Sequence, residues 1–138
     1  MQDYRAQLAT NPQELEEILG PISDAGVDIF DASTRYFDIP AFEGSTLNLA
    51  GWAKKVTGKP TMTVGGIGLN KGFGGSMDKR TDSDSVNNLD LLLSRFEAGE
   101  FDLIGVGRSL LNDPAWIRKA RAGEPFDVFD PKNLRRLT

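Results

Sequence analysis

The chain has 138 residues, of which 39% are hydrophobic and 26% charged, and its formal net charge is −4. This composition predicts one globular domain, 1–138, and its mild acidity argues against nucleic-acid or anionic-membrane partners. Cysteine and histidine are both absent, which excludes disulfides, thiolate metal sites, cysteine nucleophiles and Ser-His triads. Any demanding chemistry would therefore have to come from a bound cofactor.

We expect the protein to stay in the cytoplasm and to make no membrane contact. No apolar run approaches the roughly 20 residues that cross a bilayer. The first residues, MQDYR, do not have the pattern of a signal peptide.

The first predicted helix begins at Asn11 as N-cap, with Pro12 at the first helical position and Glu14 placed for a capping box. Its apolar stripe has helical spacing and consists of Leu15, Ile18, Leu19 and Ile22. Gly26 then ends the helix, and residues 27–32 are predicted to form a short strand.

A second helix and strand follow with the same order. The helical stripe is Leu49, Trp52, Ala53 and Val56, with Gly58 as C-cap, and residues 61–64 form the predicted strand. The Gly-rich, charged segment from Leu69 to Asp84 is predicted to be a long loop, with a lid and a disordered segment as the two interpretations.

The third repeat has its stripe at Leu89, Leu92, Leu93 and Phe96 and ends at Gly99. Residues 102–107 form the third predicted strand, and Asp113-Pro114 opens a last helix that ends at Gly123. We expect Trp52 and Trp116 to lie in the core.

This alternation predicts an α/β fold with parallel strands, because helical crossovers of this length join parallel neighbours. A doubly wound sheet and a (β/α) barrel would both produce it. In either fold, ligands bind at the carboxyl ends of the strands.

The ends of the second and third strands carry the candidate site. Gly65 and Gly66 follow the second strand, and Gly107 and Arg108 follow the third. Glycines there let backbone N–H groups converge on an anion, and an arginine adds fork-like donors suited to a phosphate. Residues 109–112 can add a short helix whose N-terminus faces the same point. The pattern predicts a phosphate-binding site.

Each of these features has a more ordinary explanation when it is taken alone. A glycine pair after a strand commonly forms a tight turn, and a single arginine is commonly solvated or salt-bridged. The residues that follow the first strand, Arg35 to Phe37, are expected to pack at the rim, with a substrate pocket as the alternative. Asp28, Asp31 and Asp102 are not clustered, so we interpret them as strand-end and turn residues and predict no metal site.

Two segments resemble the last two strands of the Old Yellow Enzyme family. Members of this family are FMN-dependent NAD(P)H oxidoreductases, including ene-reductases, and have the TIM-barrel fold. They are TVGGIG (63–68) and DLIGVGRSLLNDPAW (102–116). Residues 1–4 resemble the segment after that family's fifth strand, and residues 26–37 resemble its sixth strand. The resemblance implies a chain that holds about the last three βα units of a (β/α)8 barrel.

The same resemblance implies that Gly65, Gly66, Gly107 and Arg108 bind the FMN phosphate. The family's flavin-ring site, its substrate-binding His-His or His-Asn pair and its proton-donating tyrosine would lie in the part of the barrel this chain does not hold. No catalytic residue is therefore assigned here. The expected partners are FMN and either the missing half of the barrel or another copy of the chain.

The alternatives to this oxidoreductase are a non-catalytic, phosphate-binding or self-associating half-barrel and a phosphate-binding barrel of another family. An open half-barrel would expose two unpaired sheet edges and side chains meant for the barrel interior. The substrate and the choice between NADH and NADPH cannot be read from the residues.

Overall fold

The computed structural model describes residues 7–70 and 84–135. Its sheet has three parallel strands in the order β1-β2-β3, namely β1 (Phe30–Ser33), β2 (Thr61–Val64) and β3 (Leu103–Gly105). The helices are α1 (Pro12–Asp24), α2 (Leu49–Thr57), α3 (Leu89–Glu97), α4 (Arg108–Asn112) and α5 (Trp116–Ala122), followed by a 3₁₀ turn, Pro131–Arg135. The predicted α/β alternation with parallel strands is confirmed. No helix within the described ranges has the length and apolar character needed to cross a membrane.

The outer strands are shorter than the sequence predicted because their neighbour β2 is short. Phe30 is the first residue of β1 to pair, and its N–H donates to the carbonyl of Pro60, 3.1 Å away. Pro60 has no N–H to return a ladder bond. At the other end, Gly65 and Gly66 leave the strand with φ of 139° and 65°, so β3 has no extended partner beyond Val64.

Local capping positions α1 much as predicted, with one shift. The Asn11 side chain accepts a hydrogen bond from the Glu14 N–H at 2.9 Å, as an N-cap should. The Glu14 carboxylate, however, accepts from the backbone N–H and the hydroxyl of Thr10, both at 2.8 Å, rather than from Asn11. These bonds hold the pKa of Glu14 below its ordinary value. The predicted capping box therefore closes one residue earlier.

Only part of each predicted helical stripe is buried. In α1, Leu15 and Leu19 are buried, whereas Ile18 and Ile22 are exposed. In α3 the exposed side chains include those of Leu91, Leu93 and Phe96, although Leu92 is buried. Each of these helices packs on one side only within the described part of the chain, so its apolar stripe is wider than the surface that covers it.

The core forms two clusters on the helical side of the sheet. One cluster joins β1, α3, α5 and the loop segments next to β1 and β3. It includes Ala32, Phe37, Leu92, Phe101 and Trp116. The other joins α1 to α2. Trp116 is in the core as predicted, whereas Trp52 is only partly buried and packs edge-on against Phe42, with ring centroids 5.6 Å apart.

Asn48 joins α2 to the sheet. Its side chain caps α2 by accepting from the Gly51 N–H at 2.9 Å, and it donates to the carbonyl of Phe37 at 2.8 Å and to the hydroxyl of Thr63 at 3.1 Å. The residue is 1% exposed, so these bonds satisfy a polar group that would otherwise be costly to bury. These bonds hold the β1–α2 loop against β2.

The two faces of the sheet differ in exposure. Ala32, Thr61 and Thr63 are buried on the face that α2 covers. On the opposite face the register aligns Asp31, Met62 and Leu103, and both Asp31 and Leu103 are exposed. Within the described residues, helices therefore cover one face of the sheet and leave the other open.

Candidate functional site

A cavity of about 160 Å³ lies at the carboxyl ends of the strands. All four residues predicted for the phosphate site line it, namely Gly65, Gly66, Gly107 and Arg108. The remaining lining comes from residues 34 and 35 after β1 and from other residues of the β2 and β3 ends. The structure thus brings together the two glycine-bearing segments that the sequence placed after separate strands.

Gly65 is required by the close approach of the β1 and β2 ends. Its φ is 139°, and a Cβ atom there would lie 2.4 Å from the carbonyl oxygen of Thr34 and 2.8 Å from the carbonyl carbon of Arg35. Both distances are far below van der Waals contact. The Phe37 N–H donates to the Gly65 carbonyl at 3.0 Å, which holds the β1 end against this glycine.

The N–H groups of the site glycines have no backbone acceptor within the part of the chain that the structure describes. Across residues 7–70 and 84–135, the N–H groups of Gly65, Gly66 and Gly107 donate to no backbone carbonyl. Backbone donors that the protein leaves unsatisfied at a concave surface are suited to an anion. Together with the arginine, they fit the phosphate end of a nucleotide.

The loop after β2 is held in place by two polar side chains that the sequence interpretation did not single out. Asn88 accepts from the Gly68 N–H and donates to the Gly66 carbonyl, both at 2.9 Å. The Ser109 hydroxyl donates to the Ile67 carbonyl at 2.6 Å. Asn88 immediately precedes α3 but makes no side-chain cap bond there, because its amide binds this loop. These contacts keep Gly65 and Gly66 in position.

Arg108 is partly buried at the start of α4. Burial lowers the pKa of the Arg108 guanidinium from its ordinary value, and the nearby Tyr36 acts in the opposite direction. The arginine nevertheless stays charged near neutral pH. The predicted short helix is present as Arg108–Asn112, but at five residues it is too short to contribute more than a minor dipole.

Arg35 and Phe37, which follow β1, lie in different environments. Phe37 is 1% exposed and belongs to the core. Arg35 instead lines the cavity, and its Nε atom is buried. Arg35 was not among the predicted phosphate-site residues, because no local pattern links it to glycines 30 residues further along the chain.

Two of the aspartates that the sequence analysis interpreted as strand-end and turn residues, Asp31 and Asp102, form hydrogen bonds near the ends of strands. Asp102 forms an ion pair with Lys54 at 2.9 Å and accepts from the Thr61 N–H at 3.0 Å. Chiefly through the hydrogen bond from Lys54, its pKa is lowered from the ordinary value. Asp31 accepts from the Ser33 hydroxyl at 2.8 Å. Asp102 thereby joins the beginnings of β2 and β3.

The long loop is described only at its ends. The Asn70 N–H donates to the Asp84 carbonyl at 3.1 Å, and Leu69 bridges Ser85 in antiparallel fashion. Leu69 itself lines the cavity. The lid and disordered-segment interpretations of this loop concern mainly residues 71–83, which lie outside the described residues.

The size of the cavity limits what it can hold. Pockets that enclose a whole small ligand usually measure about 300–1,000 Å³, so 160 Å³ suits a compact group such as a phosphate. The rest of a nucleotide would lie outside it. No family model matches this sequence.

Proposed function

We propose that the chain is the FMN-phosphate-binding part of an FMN-dependent NAD(P)H oxidoreductase of the Old Yellow Enzyme type. Residues 1–138 would form one partial domain, about the last three βα units of a (β/α)8 barrel. The observation that carries this proposal is that Gly65, Gly66, Gly107 and Arg108 line one cavity at the carboxyl ends of adjacent parallel strands.

The open face of the sheet supports the barrel over a doubly wound fold. A doubly wound sheet has helices on both faces, whereas in a barrel one face points into the barrel interior. Asp31 and Leu103 are exposed on the face opposite α2. In a complete barrel these side chains would meet those of the remaining strands.

In this proposal the chain binds and orients the cofactor. The N–H groups of Gly65, Gly66 and Gly107 would donate to phosphate oxygens, and the Arg108 guanidinium would neutralise their charge. FMN, when bound, supplies hydride transfer from NAD(P)H to an activated C=C bond. This chain lacks histidine, so the groups that bind the substrate's carbonyl would come from the remainder of the barrel.

Replacing Arg108 by alanine tests the phosphate site directly. Hydrogen bonds to charged groups contribute about 1.5–3 kcal/mol, so we expect FMN affinity to fall roughly 10- to 100-fold. Titration of flavin fluorescence with the full 138-residue chain would measure this change. Riboflavin, which lacks the phosphate, should bind both proteins equally weakly.

Arg118→Ala is the matched control for this experiment. Arg118 lies on α5 and is exposed away from the cavity, so its removal changes the net charge by the same amount without touching the site. FMN affinity should then stay within about twofold of the wild type, which is near 0.4 kcal/mol. Equal binding of FMN and riboflavin by the wild-type chain would contradict the proposed function.

A second candidate function is a self-associating half-barrel that binds phosphate without turnover. Its support is structural, since within the described residues β1 and β3 each pair on one side only. The half-exposed Leu103 side chain lies on the open face of β3. Unpaired strand edges and exposed apolar side chains favour pairing with another chain.

For this candidate we expect the purified chain to elute above its 15.1 kDa monomer mass. Leu103→Glu should shift it toward monomer and weaken association at least about tenfold, because a charge would have to be buried at the interface. Sedimentation velocity over a concentration series would measure the shift. Val128→Glu is the control, since Val128 is 88% exposed on the C-terminal segment. A monomeric wild type with a sharp thermal transition would exclude self-association.

A further inference from the structure

The cavity has a second cationic side chain besides Arg108. Arg35, which follows β1, lines the same space from the opposite side of the β2 end. In the described part of the chain, these arginines are the charged residues of the lining, and no carboxylate is among them. Tyr36 is the nearby titratable group that acts on Arg108. The lining of this cavity therefore contains two cationic residues.

The position of Arg35 is fixed by its neighbours on both sides. The Thr34 N–H and hydroxyl each donate to the Val64 carbonyl at 3.0 Å, and the Phe37 N–H donates to the Gly65 carbonyl at 3.0 Å. The buried ring of Phe37 anchors the same segment in the core. The backbone of Arg35 consequently lies directly against the glycines of the candidate site, and the side chain starts at the cavity wall.

The charge of the ligand decides what two guanidinium groups can select. A phosphate monoester loses its second proton with a pKa near 6, so its charge changes from −1 to −2 near neutral pH. One arginine and backbone N–H groups would accept either form. A second arginine adds attraction that grows with the ligand's charge, because two forks can then bind separate pairs of phosphate oxygens.

We propose that Arg35 is a second phosphate-binding residue, and that the cavity formed by Arg35, Arg108 and the glycines selects the dianionic form of a phosphate monoester. This inference rests on the proposed function and deepens it, since it defines which ionised form of the FMN phosphate the chain binds. It also assigns a role to the β1 end.

The pH dependence of FMN binding provides the test. The chain has no histidine, so no imidazole titrates in the pH range that is measured. Ordinary Asp and Glu side chains titrate near pH 4 and Lys and Tyr near pH 10, so the ligand's phosphate is the group expected to titrate between pH 5 and 7. If the dianion is selected, FMN affinity should rise about tenfold over this interval, as expected for a pKa near 6. Riboflavin affinity should stay constant. A flat FMN profile in the wild type would overturn the inference.

Variants of Arg35 supply the second measurement. Arg35→Gln should weaken FMN binding about tenfold at pH 7 and reduce the pH effect to threefold or less, because the remaining arginine discriminates less between the two forms. Arg35→Lys should keep most of the pH effect. Arg118→Gln is the matched control and should retain the wild-type profile, since this arginine is exposed on α5.

The outcomes separate the two proposals. If the wild-type chain binds FMN no better than riboflavin, there is no phosphate site and both proposals fail. In a second outcome, FMN binds through its phosphate and Arg108→Ala weakens this binding, but Arg35→Gln changes neither the affinity nor the pH profile. That outcome supports the proposed function and overturns the role of Arg35. Circular dichroism identifies any variant that fails to fold. If Arg35→Gln does not fold, the pH profiles of FMN binding by the wild type and by Arg35→Lys test the role of Arg35.

Discussion

Replacing Gly65 by alanine should cost about 3 kcal/mol of stability and abolish measurable FMN binding. Left-handed backbone costs an ordinary residue roughly 1–2 kcal/mol. The new Cβ would also lie 2.4 Å from the Thr34 carbonyl oxygen, so the β1 end would have to move. Because Arg35 belongs to that end, the cavity would lose its shape. Urea unfolding and flavin titration of the same preparation would measure the two effects.

Gly107→Ala is the control for this substitution within the same site. Its φ is −107°, and no heavy atom lies within 4 Å of a Cβ built there. We expect its stability to change by less than about 1 kcal/mol. If Gly65→Ala were as mild as Gly107→Ala, the close approach of the β1 and β2 ends would not be what positions the site.

Phe101→Ala should be strongly destabilising, with a loss of about 3–5 kcal/mol. Phe101 is 1% exposed and lies two residues before the start of β3, packed with Phe37 and Leu92 in the larger cluster. Removing its ring leaves a cavity that the surrounding backbone can only partly fill. The expected change is a large decrease in the midpoint of urea unfolding.

Phe96→Ala provides the comparison for Phe101. The two rings are neighbours, with centroids 6.2 Å apart, but Phe96 is 41% exposed. Its truncation should cost about 1 kcal/mol, the typical value for a point substitution. Equal losses for the two variants would mean that burial in this cluster does not dominate the stability of the fold.

Short-range features of the fold were well predicted by the sequence. The C-terminal end of α2 agrees with the prediction from Gly58, which adopts φ of 69° as C-cap, and β2 has the predicted bounds. The Gly58 cap depends on a hydrogen bond to Lys54, four residues away, and β2 is bounded by local breakers, Pro60 before it and Gly65 after it. The predictions were wrong where a distant partner decides, as for the first residues of β1, which lie opposite Pro60 and a chain turn rather than a strand.

In the candidate site, too, the residues with a local sequence signal were predicted and those placed by distant contacts were not. Gly65, Gly66, Gly107 and Arg108 could be found from the sequence, because glycine after a strand is a local signal. Arg35 and the loop-binding amide of Asn88 could not be found. They reach the site across about 30 and 22 residues of chain, and no spacing rule connects such positions.

By itself, the sequence determined the alternation of helices with parallel strands, the placement of glycines and an arginine after the second and third strands, and the absence of histidine and cysteine. Each of these depends on residue identity and short-range geometry. Only the tertiary structure decided that the strand ends enclose one small cavity, that Arg35 joins it and that one face of the sheet is left uncovered. Those outcomes depend on packing between segments far apart in the chain, where hydrogen bonds and close contacts between backbones select the arrangement.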